Sequence, residues 1–359
     1  AEEISVKEAS EKWPLMRTND LIGAVYSPSD GRVGPSDICA ALIKGAKSKG
    51  LQVYEDTRVA GIRTKNGRVS AVQTEQGEIT CETVVNCAGI WGRSIAAMVG
   101  VTAPLHACEH FYLLTELMDS ITSPLPTLSD HDGHIYLRDE GGGLLVGCFE
   151  PKGKALDLEQ LPENFAFDLL PEDWDHIEPI IINAIHRIPE LEQTGVKMLI
   201  NGPESFTPDD RFLLGESPEL RGFFLGCGMC SVGIASGGGA GQALAEWIID
   251  GEPSMDLWSV DIRRFVPAQN TLRTLRERSP ETLSLHYAVS FPGRQHQSSR
   301  NLRLSPLHSR LESAGAEFAE RMGWERPRWF NPENKPTAPE LSFEKPGWQS
   351  LHAEEERQE

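Results

Sequence analysis

His110 and Tyr136 stand in two segments where side chains alternate, His110-Phe111-Tyr112-Leu113-Leu114 and His134-Ile135-Tyr136-Leu137-Arg138. A strand sends successive side chains to opposite faces, so both residues belong to the polar face of a half-buried strand. An imidazole titrates near neutral pH and can take a proton from an amine or orient it, while a phenol hydrogen-bonds a carboxylate or a bound ring system. Both side chains also serve as ordinary hydrogen-bonded strand residues. Arg138 offers paired N–H donors to a substrate carboxylate, or else a surface ion pair to Asp139 or Glu140.

The second chemical signal is Gly233 to Gly241, reading Gly-Ile-Ala-Ser-Gly-Gly-Gly-Ala-Gly. It lies between a short apolar run, Phe223 to Leu225, and a helical pattern over Ala240 to Ile249 with Ala240, Ala243, Leu244, Trp247 and Ile248 on one face. Glycines let the backbone approach a flat or phosphate-bearing ligand, and a helix N-terminus behind them offers N–H donors and partial positive charge. Against a flavin, that arrangement would stabilise negative charge developing at the N1–C2=O edge of the reduced ring. Tight helix–sheet packing is the other use of such a run. Cys227 and Cys230 form a C-x-x-C with no second pair behind it. They read as small residues beside a close backbone approach rather than as a zinc or redox site, and no metal is expected.

Other chemistries lack support. There is no G-x-S-x-G elbow, no H-E-x-x-H and no P-loop, so hydrolase, zincin and NTPase readings fall away. No G-x-G-x-x-G occurs either, so the pyrophosphate-binding βαβ unit is missing from this sequence. The 53 Asp and Glu outnumber 34 Lys and Arg, for a net charge of −19, which disfavours nucleic acid and anionic lipid as partners. No apolar run approaches the roughly 20 residues of a membrane span. Seven cysteines, all before residue 231, do not make a paired disulfide framework and suit a reducing compartment.

These residues need elements to hold them. Glu2 to Trp13 reads as a helix, and Pro35 to Lys49 as a second, stopped by Gly50. Leu51 to Tyr54, Val59 to Thr64 and Val69 to Thr74 read as strands, with Asn66-Gly67 as a hairpin turn. Thr83 to Ala88 is apolar enough for a strand buried on both faces, and it feeds Gly89 and a helical segment from Trp91 to Val99. Gly141-Gly142-Gly143 turns the Tyr136 strand back into Leu144 to Phe149, and Trp174 to Arg187 is helical up to Pro189. Five arginines between 263 and 278 are expected on solvent or on carboxylates. The Pro- and Glu-rich stretch from Asn331 is expected to be loosely ordered.

Taken together, several strings resemble one family, the dimethylglycine and sarcosine dehydrogenases and related FAD-dependent oxidoreductases that carry a folate-binding domain after the flavin domain. They are Tyr26 to Gly31, Val84 to Trp91, Glu109 to Thr115, Ile135 to Arg138, Asn201 to Asp209, Gly222 to Gly241, Asp261 to Phe265, Ser305 to Leu311 and Trp324 to Phe330. The resemblance implies a combined α/β and α+β fold. An incomplete FAD/NAD(P)-binding-like domain (1–100 and 200–250) would hold an inserted antiparallel-sheet substrate domain (101–199). A small linker domain (251–310) and the start of a truncated folate-binding aminomethyltransferase-like domain (311–359) would follow.

It also implies oxidation of an N-methyl amino acid, with hydride passing to flavin N5 and the one-carbon unit reaching tetrahydrofolate in a full-length parent. His110 and Tyr136 match the family's active-site His and Tyr. Val59 and Trp91 match FAD contacts, as does the loop Cys230, Ser231, Val232, Gly233, Ile234 and Ala235. The dinucleotide fingerprint and a covalent FAD-binding His of some members would precede Ala1. The chain is therefore expected to be an internal piece of a larger flavoenzyme that binds FAD weakly or not at all by itself. An electron-transfer flavoprotein or another acceptor would take the electrons, in a mitochondrial matrix or a bacterial cytoplasm. Pro104 to Thr115 also resembles the regulatory subunit of pyruvate dehydrogenase phosphatase, which shares this architecture and implies a non-catalytic alternative.

Overall fold

The computed structural model describes residues 1–331 and Phe343. The opening segment is not one helix: β1 (Glu2–Ile4) precedes α1 (Val6–Lys12). Ser5 sets the start, its hydroxyl accepting from the Glu8 N–H while the Glu8 carboxylate accepts from the Ser5 N–H. Then come β2 (Ala24–Tyr26), antiparallel to β1, and α2 (Pro35–Lys47), with Gly50 just beyond at φ +100°. Leu51 to Tyr54, expected as a strand, is irregular. The antiparallel meander β3 (Val59–Lys65), β4 (Arg68–Thr74) and β5 (Gly77–Thr80) forms without it, and Asn66 and Gly67 turn the first hairpin at positive φ. β6 (Val84–Asn86) leads through a 3₁₀ turn, Gly89–Trp91, into α3 (Gly92–Ala97).

The antiparallel sheet that carries both predicted catalytic residues starts with β7 (His106–Thr115). It gains β8 (Leu128–Asp130), β9 (Ile135–Glu140), β10 (Gly143–Cys148) and β11 (Lys154–Leu156). After α4 (Trp174–Arg187), capped by the Asp173 carboxylate on the His176 N–H, β12 (Val196–Phe206) completes it. β7 is the spine, with β12 along one edge and β10 and β11 along the other. The alternation read in the sequence decides the faces. Phe111, Leu113, Ile135, Leu137, Val146 and Leu199 pack on α4 through Ile177, Ile180 and Ala184. Ala9, Trp13 and Met16 join that core, so the opening segment packs against the antiparallel sheet.

β13 (Leu213–Glu216) and β14 (Phe223–Cys227) form a second sheet with β6, which runs parallel to β14. β6 has a neighbour on one side only among the described residues, so Val85 is 40% exposed and the strand is not buried on both faces. α5 (Gly233–Asp250) lies against this sheet through Ala240, Ala243, Leu244 and Trp247, which meet Leu214 and Phe224. The glycine run is therefore no loop before a helix but the first half of the helix itself. Each interior glycine costs about 1 kcal/mol relative to alanine, and the buried second half supplies the packing that offsets it. Gly251, at φ +86°, ends the helix.

α6 (Leu272–His286) crosses one end of the antiparallel sheet, where Leu283 packs with Cys108, Phe206 and Cys230. α7 (His308–Ser313) and the hairpin of β15 (Ala316–Arg321) and β16 (Trp324–Phe330) follow. The five arginines all find carboxylates: Arg263 on Asp261, Arg264 on Asp209, Arg273 on Glu277, Arg276 on Asp157 and Arg278 on Glu320. Asn331 is buried, and the rest of the stretch expected to be loosely ordered lies outside the described residues, Phe343 excepted.

Candidate active site

The face of the antiparallel sheet turned away from α4 collects the polar residues. Register places Tyr112, Gly147 and Tyr136 in one cross-strand row, and Gly202 opposite His110. Since directly paired residues share a face, His110, Tyr112, Tyr136, Arg138, Gly202 and Glu204 all project on this side. The sheet thus places His110 and Tyr136 on one face, although 26 positions separate them in the chain.

His110 is held from below. Its Nδ1 donates to Oε2 of Glu150 at 2.9 Å, and Oε1 of the same carboxylate accepts from the Phe111 N–H at 3.0 Å. Glu150 is 1% exposed, so this carboxylate is fixed by the strand it serves. A carboxylate only accepts, so the Nδ1 proton stays on that side and Nε2 is the ring nitrogen left for a ligand. Burial works against the charged imidazolium, but the Glu150 bond and charge, with Glu204 behind, outweigh it and raise the His110 pKa.

Aromatic rings form one wall. Phe149 stacks on Tyr287 at 4.1 Å between centroids, with His131 at 5.1 Å and Tyr136 at 5.3 Å around it. The His131 ring reaches the Tyr287 carbonyl at 3.0 Å, which ties the end of α6 to the sheet. Burial raises the Tyr136 phenol well above its ordinary range and pushes Tyr287 up to about 12. Both therefore act as protonated donors at neutral pH. Arg138 pairs with Glu140 at 2.9 Å, as one sequence alternative had it, while its buried Nε has no partner. Asp139 is taken by Arg32 instead.

The loop before α5 closes the site from another side. Gly228, Cys230 and Ser231 all have positive φ, two of them without the excuse of glycine, and such backbone persists where its surroundings hold it. The Ser231 hydroxyl donates to Oε2 of Glu204 at 2.7 Å, which places the loop beside the His110 row. Val232 caps α5 without a side-chain hydrogen bond, so the first-turn N–H groups of Gly233, Ile234 and Ala235 are open to an acceptor. Cβ atoms on Gly237, Gly238, Gly239 or Gly241 would meet nothing within 4 Å. That bare backbone fits the close approach of a flat or phosphate-bearing group. Burial pushes the Cys227 and Cys230 thiols up to about 12, and Cys227 lies within 3.0 Å of where a Cβ on Gly92 would stand, in keeping with a packing role.

Two further residues expected to contact FAD stand on other elements. Val59 opens β3 opposite Thr74, and Trp91, 44% exposed, ends the 3₁₀ turn beyond β6. Neither shares a hydrogen bond or ring contact with His110 or Tyr136 among the described residues. Glu150, Glu204, Phe149 and Tyr287 escaped the sequence reading, because each joins the site through pairing at long separation and carries no local motif. No described helix is long and apolar enough to cross a membrane.

Two family models cover most of the chain: "FAD dependent oxidoreductase" over residues 1–247 and "FAD dependent oxidoreductase central domain" over 250–305. The chain belongs to the FAD-dependent oxidoreductases. Mouse mitochondrial sarcosine dehydrogenase is 45% identical to this oxidoreductase over 95% of the chain and 37% of the relative. The mouse pyruvate dehydrogenase phosphatase regulatory subunit is 42% identical over 97% and 40%, and the 4-methylaminobutanoate oxidase (formaldehyde-forming) of Paenarthrobacter nicotinovorans 39% over 97% and 42%. The chain thus spans about two fifths of the length of these relatives. Among solved structures, the L-proline dehydrogenase of P. horikoshii superposes with a TM-score of 0.62 at 25% identity, over 72% of this chain and 67% of that one.

Proposed function

We propose that this oxidoreductase carries the substrate half of an active site that oxidises an N-methyl amino acid of the sarcosine or dimethylglycine type. The observation that carries the reading is the Glu150–His110 pair, which presents a ring nitrogen on the sheet face that Ser231 and the α5 N-terminus also border. FAD, when bound, supplies a two-electron acceptor against the 228–235 loop. Cys230 to Ala235 would lie along it, with the α5 N–H groups facing charge that develops on reduction.

The protein's own groups do the rest. An ammonium cannot surrender hydride from its methyl group, because the nitrogen lone pair must form the C=N bond as the C–H bond breaks. Nε2 of His110 takes the ammonium proton, and Glu150 holds the imidazolium that results. Tyr136 donates its hydroxyl hydrogen to the substrate carboxylate, and the unpartnered Nε of Arg138 points to the same role. Phe149 and Tyr287 exclude water from one side. The iminium then adds water and releases formaldehyde, or its carbon passes to tetrahydrofolate in a longer protein. Electrons leave to an electron-transfer flavoprotein or another acceptor, in the mitochondrial matrix of a eukaryote or the cytoplasm of a bacterium.

Anaerobic addition of sarcosine, dimethylglycine or 4-methylaminobutanoate to the FAD-loaded longer protein that contains this chain tests this: one of them is expected to bleach the flavin band. The 42% identity to a phosphatase regulatory subunit supports a second reading, a flavoprotein regulator without turnover. A yellow protein bleached by no methylated amine selects it.

A further inference from the structure

A polar crevice lies behind the aromatic wall, between α6 and the segment that follows it, lined among others by Asp210, Thr282, Arg294 and His296. Its volume is about 150 Å³. That is far above the roughly 10–15 Å³ that one water needs and below the roughly 300–1,000 Å³ of pockets for drug-sized ligands. We propose that this crevice binds a small zwitterionic amino acid.

The lining groups argue for both charges. Thr282 is fully buried, yet its Oγ1 has no hydrogen-bond partner, and neither has the buried Nε2 of His296. Buried hydroxyls and ring nitrogens are rarely left so, because each unsatisfied group costs about 1–3 kcal/mol. Arg294 gives its guanidinium to three carbonyls, those of Ala288, Val289 and Leu285. Three bonds leave two of the five guanidinium N–H donors for an acceptor. Asp210, in the same lining, holds the Nδ1 of His286 at 2.8 Å with both oxygens, and a carboxylate keeps lone pairs for a further donor. A simple acid placed here would lie against Asp210, and a simple amine against Arg294. A molecule that carries a carboxylate and an ammonium a few ångström apart satisfies both, with the unpartnered Thr282 and His296 in the same lining.

The crevice also adjoins the aromatic wall. His286, bonded to Asp210, meets the Tyr287 ring edge-on at 4.3 Å, and Tyr287 is the ring that stacks on Phe149. The occupant needs no flavin, so this site and the oxidative reading stand or fall separately.

Titration calorimetry on the purified chain, with glycine, acetate and methylammonium as separate probes, tests the assignment. Glycine is expected to bind saturably and at least about tenfold more tightly than either single-charge probe. Arg294→Gln and Thr282→Val are each expected to weaken glycine about tenfold, while His110→Ala leaves it unchanged. Thr282→Val removes an oxygen that no protein group satisfies, so it keeps the test sound if Arg294→Gln fails to fold. Acetate binding as tightly as glycine, or glycine binding unchanged in Thr282→Val, would overturn the proposal. Loss of glycine binding in His110→Ala would also overturn it, by moving the ligand to the site in front.

Discussion

Tyr136 lies flat over Gly147: a Cβ built on Gly147 would stand 1.8 Å from Cζ of the tyrosine and 2.0 Å from its Cε1. The two are cross-strand partners, so the ring's position on the site face depends on an absent side chain. Gly147→Ala is expected to displace the ring, lower stability by about 1–3 kcal/mol and weaken substrate binding. Gly202→Ala, on the same face with nothing within 4 Å, is the control expected to stay near the parent in urea denaturation. Equal stability of the two variants would show that Tyr136 is free to move.

Glu150→Gln tests the His110 pair through pH. The Glu150 charge raises the imidazole pKa against the pull of burial, so removing that charge lowers it. If the neutral ring is the working form, flavin reduction rises with pH through the raised pKa, and in Glu150→Gln that rise moves to lower pH. The stability sign is fixed by the same shift. A raised native pKa contributes stability that is fully present below the unfolded value of about 6.5 and is lost as pH climbs through the native one. The stability gap between parent and Glu150→Gln is therefore expected to narrow from pH 5 to pH 8; a constant gap would mean that Glu150 does not bond a titrating ring.

Trp13 is 2% exposed in the antiparallel-sheet core and donates its indole N–H to the Pro126 carbonyl at 2.8 Å. Trp13→Ala is expected to cost about 3–5 kcal/mol, read by chemical denaturation. A cost under about 1 kcal/mol would detach the opening segment from that core.

Thiol labelling at pH 8 separates the cysteines. Cys39 is exposed, whereas burial holds Cys227 and Cys230 protonated up to about 12. Fast modification of Cys39 and none of the C-x-x-C pair is the expected pattern. Rapid reaction at Cys230 would restore a redox role to it.

Much of the sheet was legible because its period is short-range. Alternation around His110 and Tyr136 showed two strands with one polar face, and the glycine triplet at 141–143 showed the turn between two of them. What joins His110 to Glu150 was not legible, since 40 residues separate them and only strand pairing brings them together. The glycine run misled for a related reason. Local propensity speaks against a helix there, and tertiary burial of Ala243, Leu244 and Trp247 decides otherwise. Leu51 to Tyr54 has strand composition, but pairing makes a strand, and the β3–β5 meander forms without it.

Single-turnover reduction by a methylated amine under anaerobic conditions, on the FAD-loaded longer protein of which this chain is expected to be a piece, tests the central claim most directly. Sarcosine, dimethylglycine or 4-methylaminobutanoate is expected to bleach the flavin. His110→Ala is expected to slow that step on the order of 10²-fold. A flavin that stays yellow with every methylated amine, or a rate indifferent to His110, would contradict the account.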